Sequence, residues 1–486
     1  MSQHTNGVIG SLIYKFSERV LVKLIAFVIS IILARLIEPG IFGLLAIITV
    51  FTNLCQVFVQ SGMNVALVQN KDTREEDYST VFWFSLAIAG FLYIGLFFVA
   101  PLIARYYEND VLIAPLRVLA LCLVAGTFNM IQGAKLSREM QFQKQMICTL
   151  IATVVSGIVG VWMAYAGYGL WALVAYQLFN QVAVSLAMLA VAHWIPRFTF
   201  SLERAKVFFS YGWKILISNL LFSLYTDIRS LVIGKVYTTE DLALYDRANQ
   251  MPNIVSYNLE IAMQAVMLPA LSKKQNDIAA VREDLSRMIR YTTYLIAPIM
   301  AGIAAVATPF VLFFLKEKWA DCIPYMMIFC IGYAFLPVSG ACNVSIKAIG
   351  RSDTFAKNQA IRIGTMFVIL LLTLVVFRSV FAIVIGYTIS QFLEMLIALW
   401  PAKQHIGYTY LNAAKDILPN FAISLLMGGA VYLIVTLIPS HPIALAVGIP
   451  AGIILYLLLS ILTKNKAFYM FLSLAKKVLN RKKQAP

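Results

Sequence analysis

Long apolar segments alternate with short polar ones along the chain, and this alternation predicts its elements. Most apolar segments reach the ~20 residues that an α-helix needs to cross a bilayer. Turn-forming residues separate neighbouring segments, as at Pro39 and Gly40 and again at Gly167 and Gly169. The pattern predicts an all-α polytopic membrane protein with about 14 transmembrane helices. They are expected over residues 8–36, 41–66, 79–101, 111–132, 145–166, 169–192, 211–236, 241–268, 289–314, 322–345, 358–377, 380–401, 415–438 and 443–462.

The composition supports this class and excludes a water-soluble one. Of the 486 residues, 60% are hydrophobic and only 13% are charged, whereas a soluble domain carries about 25% charged residues. The six cysteines lie in apolar segments without metal-ligand spacing, so we expect neither disulfides nor a metal site. Nucleotide-binding and hydrolase motifs are missing from the sequence. We therefore predict a protein that is not an enzyme and has no cofactor.

The placement of lysine and arginine predicts the orientation in the membrane. With a cytoplasmic N-terminus, 29 of the 39 basic residues fall on the cytoplasmic side and eight on the opposite side. Such a bias is the usual signature of cytoplasmic loops, so we expect both termini in the cytoplasm. The net charge of +16 then reflects topology, and we expect no nucleic-acid partner. Residues 464–486 are predicted to form a basic amphipathic helix on the inner leaflet.

Polar residues form one stripe on the second predicted helix and a matching stripe on the eighth. The first stripe is Thr49, Asn53, Gln56, Gln60 and Asn64, and the second is Asn249, Asn253, Ser256, Glu260 and Gln264. The members lie on one helical face, and each pair is separated by 200 residues, as are Arg35 and Lys235. This duplication predicts two six-helix lobes with the same orientation. The expected organisation is an N-lobe over 1–195, a C-lobe over 196–402, two further helices over 403–463 and a tail over 464–486.

Polar groups at membrane depth cost several kcal/mol when they face lipid. The stripes are therefore expected either to line a cavity or to form hydrogen bonds across the helix bundle, and both interpretations stay open. Buried carboxylates add candidates for ion coupling or gating, namely Asp227, Glu260 and Glu394. No basic residue lies within one helical turn of Glu394 along the sequence.

Several short motifs resemble those of a known membrane family. They are Arg35-x-x-x-Pro39-x-x-Phe42-Gly43, Gly62 followed by Gln69-Asn70-Lys71, Leu268-Pro269-Ala270, and Glu317-Lys318-Trp319 followed by Ile323-Pro324. With the helix layout, they resemble polysaccharide exporters of the multidrug/oligosaccharidyl-lipid/polysaccharide (MOP) flippase superfamily, of the colanic acid exporter or lipopolysaccharide biosynthesis flippase type. The resemblance spans about residues 8–400. The second lobe departs from the first motif, because Thr239 stands where the first lobe has Pro39.

The resemblance implies a flippase of the bacterial inner membrane. Its substrate would be an undecaprenyl-diphosphate-linked oligosaccharide, moved to the periplasmic leaflet by alternating access, with coupling to a proton or sodium gradient. The implied partners are this lipid-linked oligosaccharide, membrane lipids, a polysaccharide polymerase and glycosyltransferases. Cations suit a diphosphate, and the candidates are Lys23, Arg35, Arg229, Lys235 and Arg247. Amides suit sugar hydroxyls, and the sugar-facing candidates are Asn53, Gln56, Gln60, Asn64, Asn249, Asn253, Glu260 and Gln264.

Three other functions stay open at this point. A drug or small-molecule antiporter of the same superfamily would share the helix layout, although the many basic residues favour an anionic substrate. A membrane glycan polymerase or ligase would need a larger loop or domain outside the cytoplasm than the sequence offers. A scaffold that transports nothing would not need polar stripes at membrane depth.

Cysteine labelling of spheroplasts tests the predicted orientation. In a variant whose six native cysteines are replaced by serine, a cysteine at Lys273 should resist a membrane-impermeant maleimide, because this loop is predicted to be cytoplasmic. A cysteine at Asn109, in a predicted outer loop, is the control and should react. Labelling of the Lys273 position from outside would contradict the arrangement.

Overall fold

The computed structural model describes residues 22–70 and 72–473, and in this part of the chain it contains helices and no strand. The described part of α1 covers residues 22–36. The further helices are α2 (Pro39–Gln69), α3 (Glu75–Tyr106), α4 (Asp110–Arg138), α5 (Phe142–Tyr165), α6 (Leu170–Ala192), α7 (Leu202–Val236), α8 (Thr239–Ser272), α9 (Ile278–Ala305), α10 (Cys322–Ala348), α11 (Ser352–Phe377), α12 (Val380–Ile406), α13 (Tyr410–Thr436) and α14 (His441–Leu462).

These helices confirm the all-α polytopic membrane class. Within the described residues, the 13 helices α2–α14 are each long and apolar enough to cross a membrane. The count of 14 and the cytoplasmic termini stay predictions, as does the start of the first predicted helix, since residues 8–21 lie outside the described part. Lys71 and residues 474–486 of the predicted tail lie outside it as well.

The chain forms two compact units, Met1–Ala243 and Leu244–Pro486. This division lies later than the predicted lobe boundary near residue 195, because α7 packs on α2 and α3 within the first unit. In the second unit, α13 packs on α9, and α14 packs on α13. The predicted six-helix repeat concerns sequence duplication and stays a prediction.

The start of α7 is fixed to the start of α3 by an ion pair whose carboxylate, Asp77, is buried. Arg204 donates to the two carboxylate oxygens of Asp77, through Nε at 2.6 Å and through Nη2 at 2.5 Å. The preceding segment is also held, since the Arg197 amide donates to Ser79 Oγ at 3.1 Å. Ser201 caps α7 by accepting from the Arg204 amide, so the helix begins nine residues before the predicted start at 211. Hydropathy marked only the fully apolar part of this helix.

A break divides α2 and interrupts its polar stripe. Ser61 and Gly62 adopt left-handed backbone angles, with φ of 46° and 65°, and glycine tolerates this conformation best. Gly212 of α7 crosses at this break so closely that a Cβ atom on it would lie 2.3 Å from the Ser61 carbonyl oxygen. The expectation of one continuous polar face is therefore wrong, because Asn64 lies beyond the break.

The second unit is organised around α9. Its side chains Val281, Leu285 and Ile289 are buried in the core between α8, α10 and α12. Asp277 caps the helix by accepting from the Ala280 amide at 3.0 Å, so α9 begins 11 residues before the predicted start at 289. It ends at Ala305 and a separate short helix follows at Ala307–Phe314, which corrects the single helix predicted over 289–314.

The beginning of the predicted tail packs on α9. The Phe471 ring stacks on Tyr294 with ring centres 5.8 Å apart and meets Tyr291 edge-on at 5.9 Å. Ala467 is fully buried and Phe468 packs in the same cluster. In the amphipathic helix predicted over 464–486, Phe468 and Phe471 belong to the apolar face that would meet the inner leaflet. The structure instead places both side chains against the protein core.

The close crossing of α2 and α7 predicts that Gly212→Ala destabilises the protein. The added methyl group would meet backbone atoms of Ser61 and Met63, and overpacking of this kind costs about 1–3 kcal/mol. Gly95→Ala in α3 is the matched control, because a Cβ atom there has no neighbour within 4 Å. Thermal unfolding in detergent should give a Tm several degrees lower for Gly212→Ala and an unchanged or higher Tm for Gly95→Ala. Equal Tm values for the two variants would contradict the crossing.

Candidate substrate-binding and coupling residues

The cationic candidates of the first unit differ in exposure. Lys23 and Arg35 are exposed side chains of α1. Arg229, in α7, is only 5% exposed, and its guanidinium lies 5.7 Å from the ring centre of Tyr225, one turn earlier in the helix. A guanidinium over an aromatic face is stabilised by the ring quadrupole. Arg229 is thus a buried cation that lies against an aromatic ring of its own helix, and its role in substrate binding stays a prediction.

Lys235, at the end of α7, forms an ion pair with the loop between α3 and α4. Its ammonium lies 2.9 Å from Glu108 Oε1 and 5.0 Å from the centre of the Tyr106 ring. The hydrogen bond and the charge of Lys235 lower the pKa of Glu108 below its ordinary value. Both side chains reach solvent. Exposed ion pairs contribute little stability, so replacement of Glu108 by another anion at Lys235 would cost little free energy.

The amides of the α2 stripe serve two different purposes. Asn53 is exposed, and Gln60 and Asn64 are partly exposed. Gln56 instead packs on Gly126 of α4, where a Cβ atom would lie 2.4 Å from its amide nitrogen. The cavity interpretation therefore suits Asn53 best, while Gln56 forms a contact between helices.

The α8 stripe is held more firmly by its neighbours. Asn249 Oδ1 accepts a hydrogen bond from the Tyr333 hydroxyl at 2.7 Å, and Ser256 donates to the Tyr333 carbonyl at 2.9 Å. Gln264 Nε2 donates to Glu260 Oε1 at 2.9 Å. The interpretation as hydrogen bonding across the bundle thus applies to Asn249 and Ser256, while Asn253 is partly exposed.

Arg247, in the second unit, is a buried arginine that lies near an aromatic ring, as Arg229 does in the first unit. Its guanidinium lies 5.0 Å from the centre of the Trp319 ring, and Nη1 donates to Gln250 Oε1 at 2.9 Å. Arg247 is 9% exposed and Trp319 is fully buried. The resemblance motif Glu317-Lys318-Trp319 thus supplies the indole that covers this cation.

Asp227 is held by hydroxyl groups of its own helix. Its carboxylate oxygens accept from Ser223 and Thr226, each at 3.1 Å. Neither donor is charged, so these two bonds stabilise the carboxylate without neutralising it. Asp227 therefore keeps its place among the candidates for coupling or gating.

Glu394, in α12, pairs with an arginine that the sequence analysis did not assign to it. Arg362 of α11 donates from Nη2 to Glu394 Oε2 at 2.5 Å, and Glu394 is 1% exposed. Arg362 also donates to Gln359 Oε1 at 2.5 Å. The only sequence feature that pointed to this pairing was the position of Arg362 in the predicted helix 358–377. A cation that is 32 residues from Glu394 becomes its neighbour only when two helices pack together. Arg362 is only 13% exposed in this pair.

Glu260 belongs to the same group of charges. It packs against Gly340 of α10, where a Cβ atom would lie 2.7 Å from Glu260 Oε1. Arg362, Glu394 and Lys347 are its charged neighbours. The structure therefore brings together two of the three coupling candidates, Glu260 and Glu394, and adds two cations. Among the described residues, no group of three or more His, Cys, Asp or Glu side chains has the arrangement of a metal site.

Membrane-spanning helices in two compact units, with ionised side chains at depth, are the architecture of a membrane transporter. The chain belongs to the polysaccharide biosynthesis protein family, whose sequence model matches residues 32–324. This membership confirms the resemblance drawn from the motifs. It also agrees with the expectation of a transporter and not an enzyme.

Curated relatives extend the match over most of the chain. The succinoglycan biosynthesis transport protein ExoT of Rhizobium meliloti is 27% identical over 67% of this chain and 66% of its own length. The teichuronic acid biosynthesis protein TuaB of Bacillus subtilis is 24% identical over 84% of this chain and 86% of its own. The lipopolysaccharide biosynthesis protein WzxC of Escherichia coli is 22% identical over 66% of each chain. The chain thus spans about two thirds of ExoT and WzxC and more of TuaB.

Solved structures share the fold. The lipid II flippase MurJ, in an inward closed conformation, superposes with a TM-score of 0.72 at 15% identity, covering 92% of this chain and 98% of that one. An inward-facing multidrug resistance transporter of the MATE family and MOP superfamily gives a TM-score of 0.61 at 15% identity. It covers 79% of this chain and 94% of its own. The fold is therefore that of the MOP superfamily.

The buried pair predicts that Arg362→Gln is strongly destabilising. Removing one partner leaves an uncompensated buried charge and costs about 3–5 kcal/mol. The double variant Arg362→Gln, Glu394→Gln should recover much of this loss, because no net charge stays buried. Lys274→Gln is the control, since its pair with Asp284 is exposed and such pairs contribute about 0–1 kcal/mol. Thermal unfolding of the purified variants measures this order, and a double variant less stable than Arg362→Gln would contradict it.

Proposed function

We propose that this protein is a flippase of the bacterial inner membrane for lipid-linked oligosaccharides. Its substrate is an undecaprenyl-diphosphate-linked repeat unit, which it moves from the cytoplasmic to the periplasmic leaflet by alternating access for surface polysaccharide biosynthesis. The observation that carries this proposal is the family match over residues 32–324 on a fold of membrane helices. The relatives named for succinoglycan transport, teichuronic acid and lipopolysaccharide biosynthesis support a glycan substrate.

The chemistry of the membrane helices supports an anionic lipid-linked glycan. Arg229 and Arg247 are guanidiniums kept at membrane helices α7 and α8, and guanidinium groups match diphosphate oxygens in geometry and charge. Lys23 and Arg35 are exposed cations of α1. The exposed Asn53 and the partly exposed Asn253 offer donors and acceptors to sugar hydroxyls. A polyprenyl chain needs no polar site and can stay in lipid.

Two of the three candidates for proton coupling, Glu260 and Glu394, lie in the second unit. Arg362 forms an ion pair with Glu394 and interacts electrostatically with Glu260, so protonation of either carboxylate would change the charge balance around this guanidinium. Sodium remains the other proposed coupling ion. A polysaccharide polymerase and glycosyltransferases are the proposed partners, because the repeat unit must be assembled before transport and joined after it.

The alternatives receive less support. A MATE-type antiporter shares the fold, but the superposition with the drug transporter covers 79% of the chain and that with the lipid II flippase 92%. A glycan polymerase or ligase would need a large segment outside the membrane. Among the described residues, the longest segment between spanning helices is 306–321, and half of it is the short helix Ala307–Phe314.

Replacing the two cations Lys23 and Arg229 by glutamine tests the proposal. Each charged hydrogen bond contributes about 1.5–3 kcal/mol, so the double variant should reduce export by at least tenfold. The assay is extracellular polysaccharide in a deletion strain carrying the variant, together with membrane abundance of the protein and lipid-linked repeat units left in the cytoplasmic leaflet. Arg229→Lys then tells whether a point charge suffices or a planar group is needed.

The control for this experiment is Lys273→Gln. Lys273 is exposed in the loop after α8 and is not a candidate for substrate binding, so export should stay unchanged. Full export from the double variant at normal abundance would remove the case for these two positions. An unchanged level of cytoplasmic lipid-linked repeat units after deletion of the whole gene would instead contradict the flippase function itself.

A further inference from the structure

A cavity of about 680 Å³ lies in the second unit, away from every predicted substrate residue. It is enclosed by α9, by the first half of α13 and by the turn that follows α14. This volume is within the usual range of ligand-binding cavities. The beginning of α13 and the end of α14 lie at the same end of the helices, the end that the basic-residue bias assigns to the cytoplasm. Neither the family match nor the proposed function gives this cavity a role.

The one acidic side chain that lines the cavity is fully engaged by the protein. Asp416 is 5% exposed and accepts hydrogen bonds from Arg290, at 2.6 and 3.1 Å, from Ser286 at 2.5 Å and from Tyr408 at 2.9 Å. Arg290 neutralises its charge within this network. The Asp416 carboxylate is therefore held in one position by the protein, and it does not pair with the lysines that line the cavity.

A buried asparagine fixes the turn after α14 against α13. Asn465 Nδ2 donates to Asn420 Oδ1 at 2.8 Å, and Asn465 Oδ1 accepts from the Ala467 amide at 2.9 Å. Asn420 in turn donates to Thr293 Oγ1 at 2.9 Å and to the Arg290 carbonyl at 2.8 Å. The turn is thus held in one conformation, and its position is set by the core of the unit.

Three ammonium groups surround the mouth of this cavity. Lys464 and Lys466 flank the anchored Asn465, and Lys415 lies on the facing turn of α13. All three side chains are exposed. Within the part of the chain that the structure describes, none of them forms an ion pair with a carboxylate. Three cations that line one cavity without a paired carboxylate attract a phosphate group.

The opposite end of the cavity is apolar. Ala422, Ile423 and Leu426 continue its lining along α13, and Leu426 is 65% exposed. Lys415 and Leu426 are 11 residues apart, or about 16 Å along a helix. The cavity therefore changes from cationic to apolar in the direction from the membrane surface toward the hydrocarbon. A phospholipid has the same order of groups, with the phosphate at the surface and the acyl chain below it.

We propose that this cavity binds an anionic membrane phospholipid. The headgroup phosphate is held by Lys415, Lys464 and Lys466, and the beginning of one acyl chain lies along Ile423 and Leu426. A soluble phosphate would use the lysines but not the apolar half. A polyprenyl phosphate shares the phosphate chemistry, and the experiment separates it from the phospholipid. The site lies outside the proposed transport residues, so its existence does not depend on the proposed function.

Lipid-dependent thermal stability of the purified full-length chain tests this site. Palmitoyl-oleoyl phosphatidylglycerol added to dodecyl maltoside micelles should raise the Tm of the unaltered protein by about 3 °C or more, since a ligand that binds only the folded state stabilises it. Phosphatidylcholine, whose headgroup is neutral overall, should give a smaller rise. The variant Lys415→Gln, Lys464→Gln, Lys466→Gln should lose at least half of the phosphatidylglycerol effect.

A second triple variant is the matched control, because it removes the same charge from exposed positions outside the cavity. It carries Lys273→Gln, Arg351→Gln and Lys357→Gln, and it should keep the full phosphatidylglycerol effect. Equal losses in the two triple variants would overturn the proposal, since they would reveal general attraction between charges. If the cavity variant does not fold, the single variant Lys464→Gln is compared with Lys273→Gln in the same way.

Two further probes identify the ligand. Glycerol 3-phosphate should give no rise in Tm at the concentration of phosphatidylglycerol that saturates the effect, and an equal rise would overturn the assignment to a lipid. Undecaprenyl phosphate should act only at higher concentration than phosphatidylglycerol. If it acted at lower concentration and lost its effect in the cavity variant, a polyprenyl lipid and not a phospholipid would be the ligand. Leu426→Asn should weaken the phosphatidylglycerol effect without changing the Tm in lipid-free micelles.

Discussion

An ionised side chain within a membrane protein needs a partner, because hydrocarbon offers none, and this constraint governs how the helices pack. The chain meets it with three buried carboxylates, each paired with an arginine from another helix. The pairs are Asp77 with Arg204, Asp416 with Arg290 and Glu394 with Arg362. The first two join helices more than 120 residues apart in sequence. They fix the start of α7 against α3 and α13 against α9.

The same constraint divides the predicted substrate residues into two groups. Asn249 and Ser256 are bonded to α10, and Gln56 is packed against α4, so these polar groups are partly or fully used by the fold. Lys23 and Asn53 are exposed, and for Asn53 this exposure leaves the amide accessible to a ligand. A polar residue at membrane depth therefore serves either helix packing or ligand binding, and the groups that it contacts decide which of the two applies.

The sequence predicted those features that depend on one helix at a time. Apolar length located the spanning helices, and i, i+4 spacing placed the polar stripes on helix faces. The sequence did not predict the features that depend on packing between helices. These are the pairing of Arg362 with Glu394, the crossing of Gly212 at the α2 break and the position of α13 beside α9. The amphipathic first turns of α7 and α9 were missed too. These helices begin at Leu202 and Ile278, and their first turns are too polar to be recognised by hydropathy.

The two matched stripes differ most at their fourth position. Gln60 is an amide and has no titrating proton, whereas its counterpart Glu260 is the only ionisable side chain in either stripe. Glu260 lies beside Arg362 and Lys347, with Glu394 in the same group. The two stripes thus share the same spacing in the sequence, but their one titratable residue lies in the second unit. If proton movement drives transport, the stripe of the first unit has no group that can take up the proton. Glu260 is the one stripe residue that can respond to the gradient, beside Asp227 and Glu394 outside the stripes.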